Sequence, residues 1–321
     1  MTLTRRTLML SAAALALVSA RAQDRRRLVV VTGGTGGVFY PYGGGLAKVL
    51  SEKMPNTQAT AQVTGGSVDN VKLLSEGEAD IGFSTLDSAY DGYTGGGAYA
   101  ADGPQNIRLI ARLYDSFLHV VTTEGSGITS IAGLKGKRVS VGSAGSSTES
   151  IADRVIAAAG LNHMTDITRD NLSVSESAGA LADGKIDAFF WIGGLPTTAV
   201  KDLAAAGQLK LRFIDTAIEV AVLKTRFPEV YADMTMPAGV YAGQDADVRG
   251  LGVANVLIVA GDAADALVTD ILTAIFDNLE AVHAIHPEAA NLAIAGAYVR
   301  TNTPWHPAAE AFYAARGVTL P

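Results

Sequence analysis

The chain has 321 residues, with 25 Lys and Arg against 32 Asp and Glu, and no cysteine. The lack of cysteine excludes a disulfide framework and any thiolate metal site, and the acidic balance argues against nucleic acid or an anionic membrane surface as a partner. A chain this long buries enough apolar surface to stand without disulfides, and its length predicts two domains or lobes.

Residues 1–22 read as an export address. Arg5 and Arg6 supply a positive start, Leu8 to Val18 is a short apolar run, and Ala20-Arg21-Ala22 has the small-x-small form of a cleavage site. The apolar run is too short for a permanent membrane helix. Thr4-Arg5-Arg6-Thr7-Leu8-Met9 also has twin-arginine form, which would carry the protein out already folded. Cleavage near Ala22 and a periplasmic location are expected. Removing Arg5, Arg6 and Arg21 leaves 22 basic against 32 acidic side chains, a net charge of about −10. No later stretch is long and apolar enough to span a membrane. The negative total does not oppose an anionic ligand, because backbone N–H groups can bind anions locally.

After the leader, short β-branched runs alternate with helical periodicity, which predicts an α/β fold with mostly parallel strands. Leu28–Val31 reads as a strand, Gly33–Gly37 as a turn and Phe39–Met54 as a helix. Ala59–Val63 is the next strand, Ser67 an N-cap for a helix to Glu76, and Asp80–Phe83 a third strand. Ile107–Ala111 and Leu118–Thr122 read as separate β runs broken at Tyr114-Asp115-Ser116. Gly136–Val141 then leads into a hydroxyl-rich glycine turn and a helix to Ala159. Further strands are expected at Asp187–Trp191, Leu209–Ile214 and Leu251–Ala260, with helices over Ala264–His283 and Pro287–Ala297. Two strand–glycine-turn–helix openings about 110 residues apart, one per half, are the pattern of two facing α/β lobes.

The first turn, Thr32 to Gly37, lets backbone approach a ligand at a helix N-terminus. A dinucleotide fingerprint fails because Phe39 stands where its third glycine belongs. The Gly133–Lys137 segment fails as a phosphate loop because Ser130 replaces its first glycine and Arg138 its Ser/Thr. A small-anion cradle is the favoured reading over a plain turn. The second turn, Gly142 to Thr148, carries Ser143, Ser146, Ser147 and Thr148, more donors than one helix cap uses, and ligand contact is favoured there too. Phe39, Tyr40, Tyr42, Tyr90, Tyr93 and Trp191 fall beside strand C-terminal ends, where open α/β sheets bind ligands. Of the five histidines, His283 and His286 have helical i,i+3 spacing but stand just before Pro287, where a cation at a helix end is the simpler reading. No G-x-S-x-G elbow or HExxH occurs, and neither an enzyme, a cofactor nor a metal is expected.

Several blocks together resemble one family. Thr32 to Pro41 with Gly43-Gly44, Val63 to Asn70, Asp80 with Asp87 to Tyr90, Gly133 to Val139, Asp187 to Thr197, Pro237-Ala238-Gly239 with Tyr241 to Asp245, and Leu279 to Pro287 are similar, in order, to TAXI-type receptors of TRAP transporters. The resemblance implies a two-lobed type II periplasmic binding protein fold with a two-strand hinge. Residues 24–116 and 250–321 would form one lobe and 117–249 the other, crossing near Tyr114–Leu118 and Arg249–Val253. It further implies a monomeric receptor that hands a small carboxylate, such as glutamate, glutamine or 2-oxoglutarate, to TRAP membrane subunits. Receptors for an ABC importer or a sensor kinase share this fold, and an exported enzyme on the same scaffold is the more distant alternative. Carried over by position, the ligand contacts are Gly34, Thr35, Tyr40, Ser67, Asn70 and Asp87 from the first lobe. The second offers Ser143, Ser146, Ser147, Thr148, Trp191, Gly193 and Gly194. Thr85-Leu86 replaces the Gln-Ser common in the family, and Trp191 a smaller aromatic, so this pocket is expected to differ in its ligand.

Overall fold

The computed structural model describes residues 25–319, so the leader read over residues 1–22 lies outside the described residues. The first half is built as expected from strand–turn–helix units. β1 (Arg26–Val31) pairs in parallel with β2 (Thr57–Gln62) and β3 (Ile81–Thr85). Between them run α1 (Phe39–Lys53) and α2 (Ser67–Ser75), followed by α3 (Leu86–Thr94). Helix α1 buries Tyr42, Leu46, Val49 and Leu50, a stripe at helical spacing that covers the sheet. The second half contains β5 (Arg138–Ser140), α4 (Ser147–Ala158), β6 (Thr168–Asp170), α5 (Val174–Ala182), β7 (Ala188–Gly193), α6 (Thr198–Ala205), β8 (Leu211–Phe213) and α7 (Ala217–Arg226).

Two long strands join the halves. β4 (Ile107–Thr123) and β10 (Val248–Ala260) pair antiparallel with each other. At one end β10 pairs with β3; at the other β4 pairs with β7 and β8, and β10 with β9 (Tyr231–Met236). The sheet order is β2-β1-β3-β10-β4-β7-β5-β6, with β8 on β4 and β9 on β10. The C-terminal α8 (Asp265–Phe276), α9 (Leu279–His283) and α10 (Pro307–Ala315) return to the first half, where α8 packs on α1 and α10.

Three expectations need correction. The break at Tyr114–Ser116 is absent: β4 runs unbroken for 17 residues. Pairing with β10 decides this, since Tyr114 and Ser116 face inward while Asp115 points out and binds Arg112 at 2.7 Å. The helix expected over 264–283 divides at Asp277–Asn278, where the Asn278 side chain donates to the Ala274 carbonyl and competes with helical continuation. The segment 287–297 forms two short 3₁₀ turns, the first capped by His286, whose ring accepts the Glu288 N–H. His283 binds the Leu292 carbonyl at 2.8 Å, so both histidines tie backbone ends together. Among the described residues no helix is long and apolar enough to cross a membrane.

Candidate functional site

A cavity of about 250 Å³ lies between the two halves, beside the middle of β4 and β10. Five helices begin at its wall: α1 at Val38 and Phe39, α2 at Gly66 and Ser67, α3 at Thr85, α4 at Ser146 to Thr148, and α5 at Ser173 to Ser175. A helix N-terminus carries N–H groups that have no partner within the helix, and a partial charge of about +0.5. None of the residues lining the cavity is Asp, Glu, Lys, Arg or His. The polarity is therefore supplied by backbone dipoles and hydroxyls. Val38, Phe39, Val63, Val174, Trp191 and Ile192 add an apolar wall.

Of the residues expected at a site, Gly34, Thr35, Ser67, Ser143, Ser146, Ser147, Thr148, Trp191 and Gly193 meet at this cavity. Four lie off its wall. Tyr40 is on the outer face of α1 and 37% exposed. Asn70 turns toward the sheet, where its Nδ2 donates to the carbonyls of Thr32 and Phe83. Asp87 is fully buried and accepts from the Tyr231 hydroxyl at 3.1 Å. Gly194 lies against the Glu288 side chain. Ser67 is not an N-cap: Gly66 holds that position, and the Ser67 Oγ accepts the Thr85 N–H at 3.1 Å. Ser146 does cap α4, accepting the Glu149 N–H while donating to the Ser143 carbonyl at 2.6 Å. The Thr148 hydroxyl accepts from Ile192 N–H and so ties α4 to β7.

The halves touch around the cavity. Ser67 Oγ lies 3.3 Å from Ser147 Oγ, and the N–H groups of Val68 and Asp69 both donate to the Gly145 carbonyl at 3.1 Å. Gly37 lets the first turn approach Trp191, since a Cβ there would lie 2.9 Å from the indole ring. Deeper in the same interface Arg154 of α4 binds Asp91 and Asp87 of α3 and donates to the Tyr231 hydroxyl at 2.6 Å.

A hydrogen-bond chain holds Trp191. The indole N–H donates to Thr197 Oγ1 at 2.9 Å, and that hydroxyl donates to the Gly194 carbonyl. Thr197 N–H donates to the Tyr241 hydroxyl, which lies 2.8 Å from His119 Nε2. His119 Nδ1 faces the Trp191 carbonyl, an acceptor only, so Nδ1 carries the proton and Nε2 accepts from Tyr241. Burial lowers the His119 pKa to about 4 and keeps the ring neutral; burial likewise pushes the Tyr241 phenol up to about 12. Tyr241→Phe leaves His119 Nε2 and Thr197 N–H unpaired in the interior. A loss of about 1–3 kcal/mol in unfolding free energy is expected by urea titration, together with red-shifted Trp emission as the indole loosens; unchanged emission and stability would show that the chain does not hold Trp191.

The turn-and-hydroxyl reading missed Ser116, Ser173, Ser175 and Asn255, all on the cavity wall. Ser173 was findable, because Ser173-Val174-Ser175-Glu176 is a capping box, and both its bonds form. Ser116 and Asn255 face each other inside β4 and β10, where no local pattern marks them.

Solved structures of similar fold include a binding protein component of an ABC phosphonate transporter from Pseudomonas aeruginosa, at 12% identity and TM-score 0.57, covering 83% of this chain and 79% of that one. An ancestral arginine-binding protein bound to arginine matches at 16% identity and TM-score 0.51, covering 83% and 99%. Tv2483 bound to L-arginine matches at 14% and 0.50, covering 84% and 92%. At such identities the likeness concerns the fold, which is the two-lobed α/β architecture of type II periplasmic binding proteins. A sequence model of the NMT1-like family matches residues 30–317, nearly all of what the structure describes, and the chain belongs to that family.

Proposed function

We propose that this protein is an exported solute-binding receptor that closes its two lobes over a small carboxylate and presents it to the membrane subunits of an importer. The observation that carries this reading is the cavity between the halves, where five helix N-termini converge with hydroxyls and no charged side chain. Such a site stabilises an anion through fixed dipoles. Contacts from both lobes reach the same space, so a ligand held by both shifts the population toward closure. The lobes are proposed as 24–116 with 250–321 and 117–249, because β4 and β10 change pairing partners near 116 and 253. A periplasmic location agrees with the leader and with the fold relatives.

The ABC transporter component among proteins of this fold supports an ABC importer as the partner. The ordered motif blocks that resemble TAXI receptors favour a TRAP partner as the second reading. Uptake in cells distinguishes them: an ABC system stops on ATP depletion, and a TRAP system stops when the ion gradient collapses.

The receptor reading is tested by thermal shift of the mature protein, unfolded, dialysed and refolded to remove copurified ligand, against small carboxylates, amino acids and sugars. A ligand at about 100 times its dissociation constant stabilises the native state by roughly 2.7 kcal/mol. A shift from carboxylates alone is expected; a shift only from sugars or cations would overturn the reading. The double change Ser146→Ala with Ser147→Ala is expected to weaken carboxylate binding by at least about tenfold while the protein stays folded, since losing the Ser146 cap costs only about 1 kcal/mol. Unchanged affinity would remove these hydroxyls from the site.

A further inference from the structure

We infer that the cavity selects a 2-hydroxy carboxylate with an apolar body and discriminates against the matching α-amino acid. This rests on the receptor reading above and narrows its ligand. Two independent observations carry it: the charge of the wall and one orphaned side-chain atom.

An α-amino acid brings an ammonium group, a unit positive charge with three donors. The wall offers it no carboxylate. Three acids of the lobe contact are engaged elsewhere. Asp69 accepts the Gly65 N–H at 3.0 Å, Asp87 is bound by Tyr231 and Arg154, and Glu288 accepts from Leu195 N–H and Asn291 Nδ2. The helix N-termini that welcome a carboxylate repel an ammonium at the same distance. A zwitterion would therefore gain at one end and lose at the other.

Asn255 gives the second clue. It is fully buried on β10, lines the cavity and pairs in register with Thr85, another lining residue. Its Nδ2 donates to the Tyr114 carbonyl at 3.1 Å and to Ser116 Oγ at 2.8 Å. The carbonyl can only accept, which sets the orientation of the amide. Asn255 Oδ1 is left as a buried acceptor with no partner. Among the described residues seven buried side-chain atoms lack a partner, and Asn255 alone of their residues lines the cavity, which makes its Oδ1 the acceptor a ligand donor would meet. A hydroxyl next to the carboxylate supplies that donor without adding charge. A 2-oxo group would set its own lone pairs against Oδ1, and an ammonium would donate but stay unneutralised. Sites built to hydrogen-bond a substrate hydroxyl reject analogues that leave the protein group unpaired. Phe39, Val63, Val174 and Trp191 then receive an aliphatic or aromatic body.

The test is calorimetric titration of the refolded mature protein with matched trios sharing one skeleton. The first is 2-hydroxy-4-methylpentanoate, 4-methyl-2-oxopentanoate and leucine; the second is 3-phenyllactate, phenylpyruvate and phenylalanine. The third, with a polar body, is 2-hydroxyglutarate, 2-oxoglutarate and glutamate. Within an apolar trio the hydroxy acid is expected to bind at least about tenfold tighter than the oxo acid and about a hundredfold tighter than the amino acid. Asn255→Leu should erase the hydroxy–oxo difference, and the wild-type ranking decides the matter even where that variant does not fold. Equal or tighter binding of the amino acid or the oxo acid overturns the inference and leaves the receptor reading intact. The same holds if the polar-body trio binds and the apolar ones do not. If no carboxylate binds at all, the receptor reading falls with it.

Discussion

Arg154→Met should cost about 3–5 kcal/mol of unfolding free energy at pH 7.5, the scale seen when one partner of a buried ion pair is removed. Among the described residues Arg154 is the cation paired with two buried carboxylates, Asp87 and Asp91. Asp87 is fully buried and Asp91 nearly so, and Tyr231 and Phe227 enclose the guanidinium, the Phe227 ring lying 4.2 Å from it. Its own pKa is held up because Tyr231, Asp87 and Asp91 outweigh the effect of burial. Without it two like charges remain in the interface with only the Tyr231 hydroxyl as donor. The loss should shrink at pH 5, where protonation relieves the repulsion. Urea titrations at both pH values check this. A stability unchanged at pH 7.5 would mean that the lobes part and hydrate both carboxylates.

The same cluster sets a pH dependence. Burial raises the Asp91 pKa to about 6 in the folded protein, against the attraction of Arg154. Between the unfolded value and about 6 the native state binds more protons than the unfolded one, so the contribution of Asp91 to stability is full below its unfolded pKa and is lost as pH rises through about 6. His119 acts in the opposite direction, because its pKa is lowered to about 4 and its contribution is lost as pH falls. Comparing wild type with Asp91→Asn over roughly pH 4 to 8 cancels the histidine term and should flatten the decline.

Gly145→Ala should lower carboxylate affinity by roughly a hundredfold, about 2.7 kcal/mol, while leaving each lobe folded. Gly145 has φ +74°, in the left-handed region that costs an alanine about 1–2 kcal/mol. A Cβ would also lie 2.1 Å from Asp69 Oδ1, on the side of the cleft that must approach during closure. The carbonyl of this residue accepts two N–H groups from the start of α2, so displacing it undoes the direct backbone bond between the lobes. Opening relieves the clash, and the cost therefore falls on closure and on any ligand that requires it. Titration with the tightest carboxylate of the panel, together with small-angle scattering in its excess, checks this: the variant should retain the larger radius of the open form. Wild-type affinity would show that the Gly145 contact is not part of the bound state.

Local chemistry marked the glycine turns well, because strand, turn and helix start are each written in neighbouring residues. Thr35, Ser67 and Ser143 to Thr148 all reach the cavity from such turns, apart from the small residues between them that do not line it. The same logic could not say which way a side chain points once the turn is made. Asn70 is three residues past Ser67 and on the same helix, yet its amide is consumed by Thr32 and Phe83. Asp87, placed at the site by resemblance, is occupied by Arg154 and Tyr231, partners 67 and 144 residues away in the chain.

The amino-acid sequence by itself determined the α/β class, the two-half organisation, the absence of thiol chemistry and the places where helices begin beside glycine turns. These are short-range properties: periodicity, β-branching and turn residues act over a few positions. Tertiary structure alone decided the rest. It made β4 one strand through Asp115, because β10 pairs along it. It joined Arg154 to α3 and faced Asn255 to Ser116, since both contacts close loops of 63 to 139 residues that no local pattern records. It also left the cavity wall uncharged, a property of how five helix starts converge rather than of any single segment.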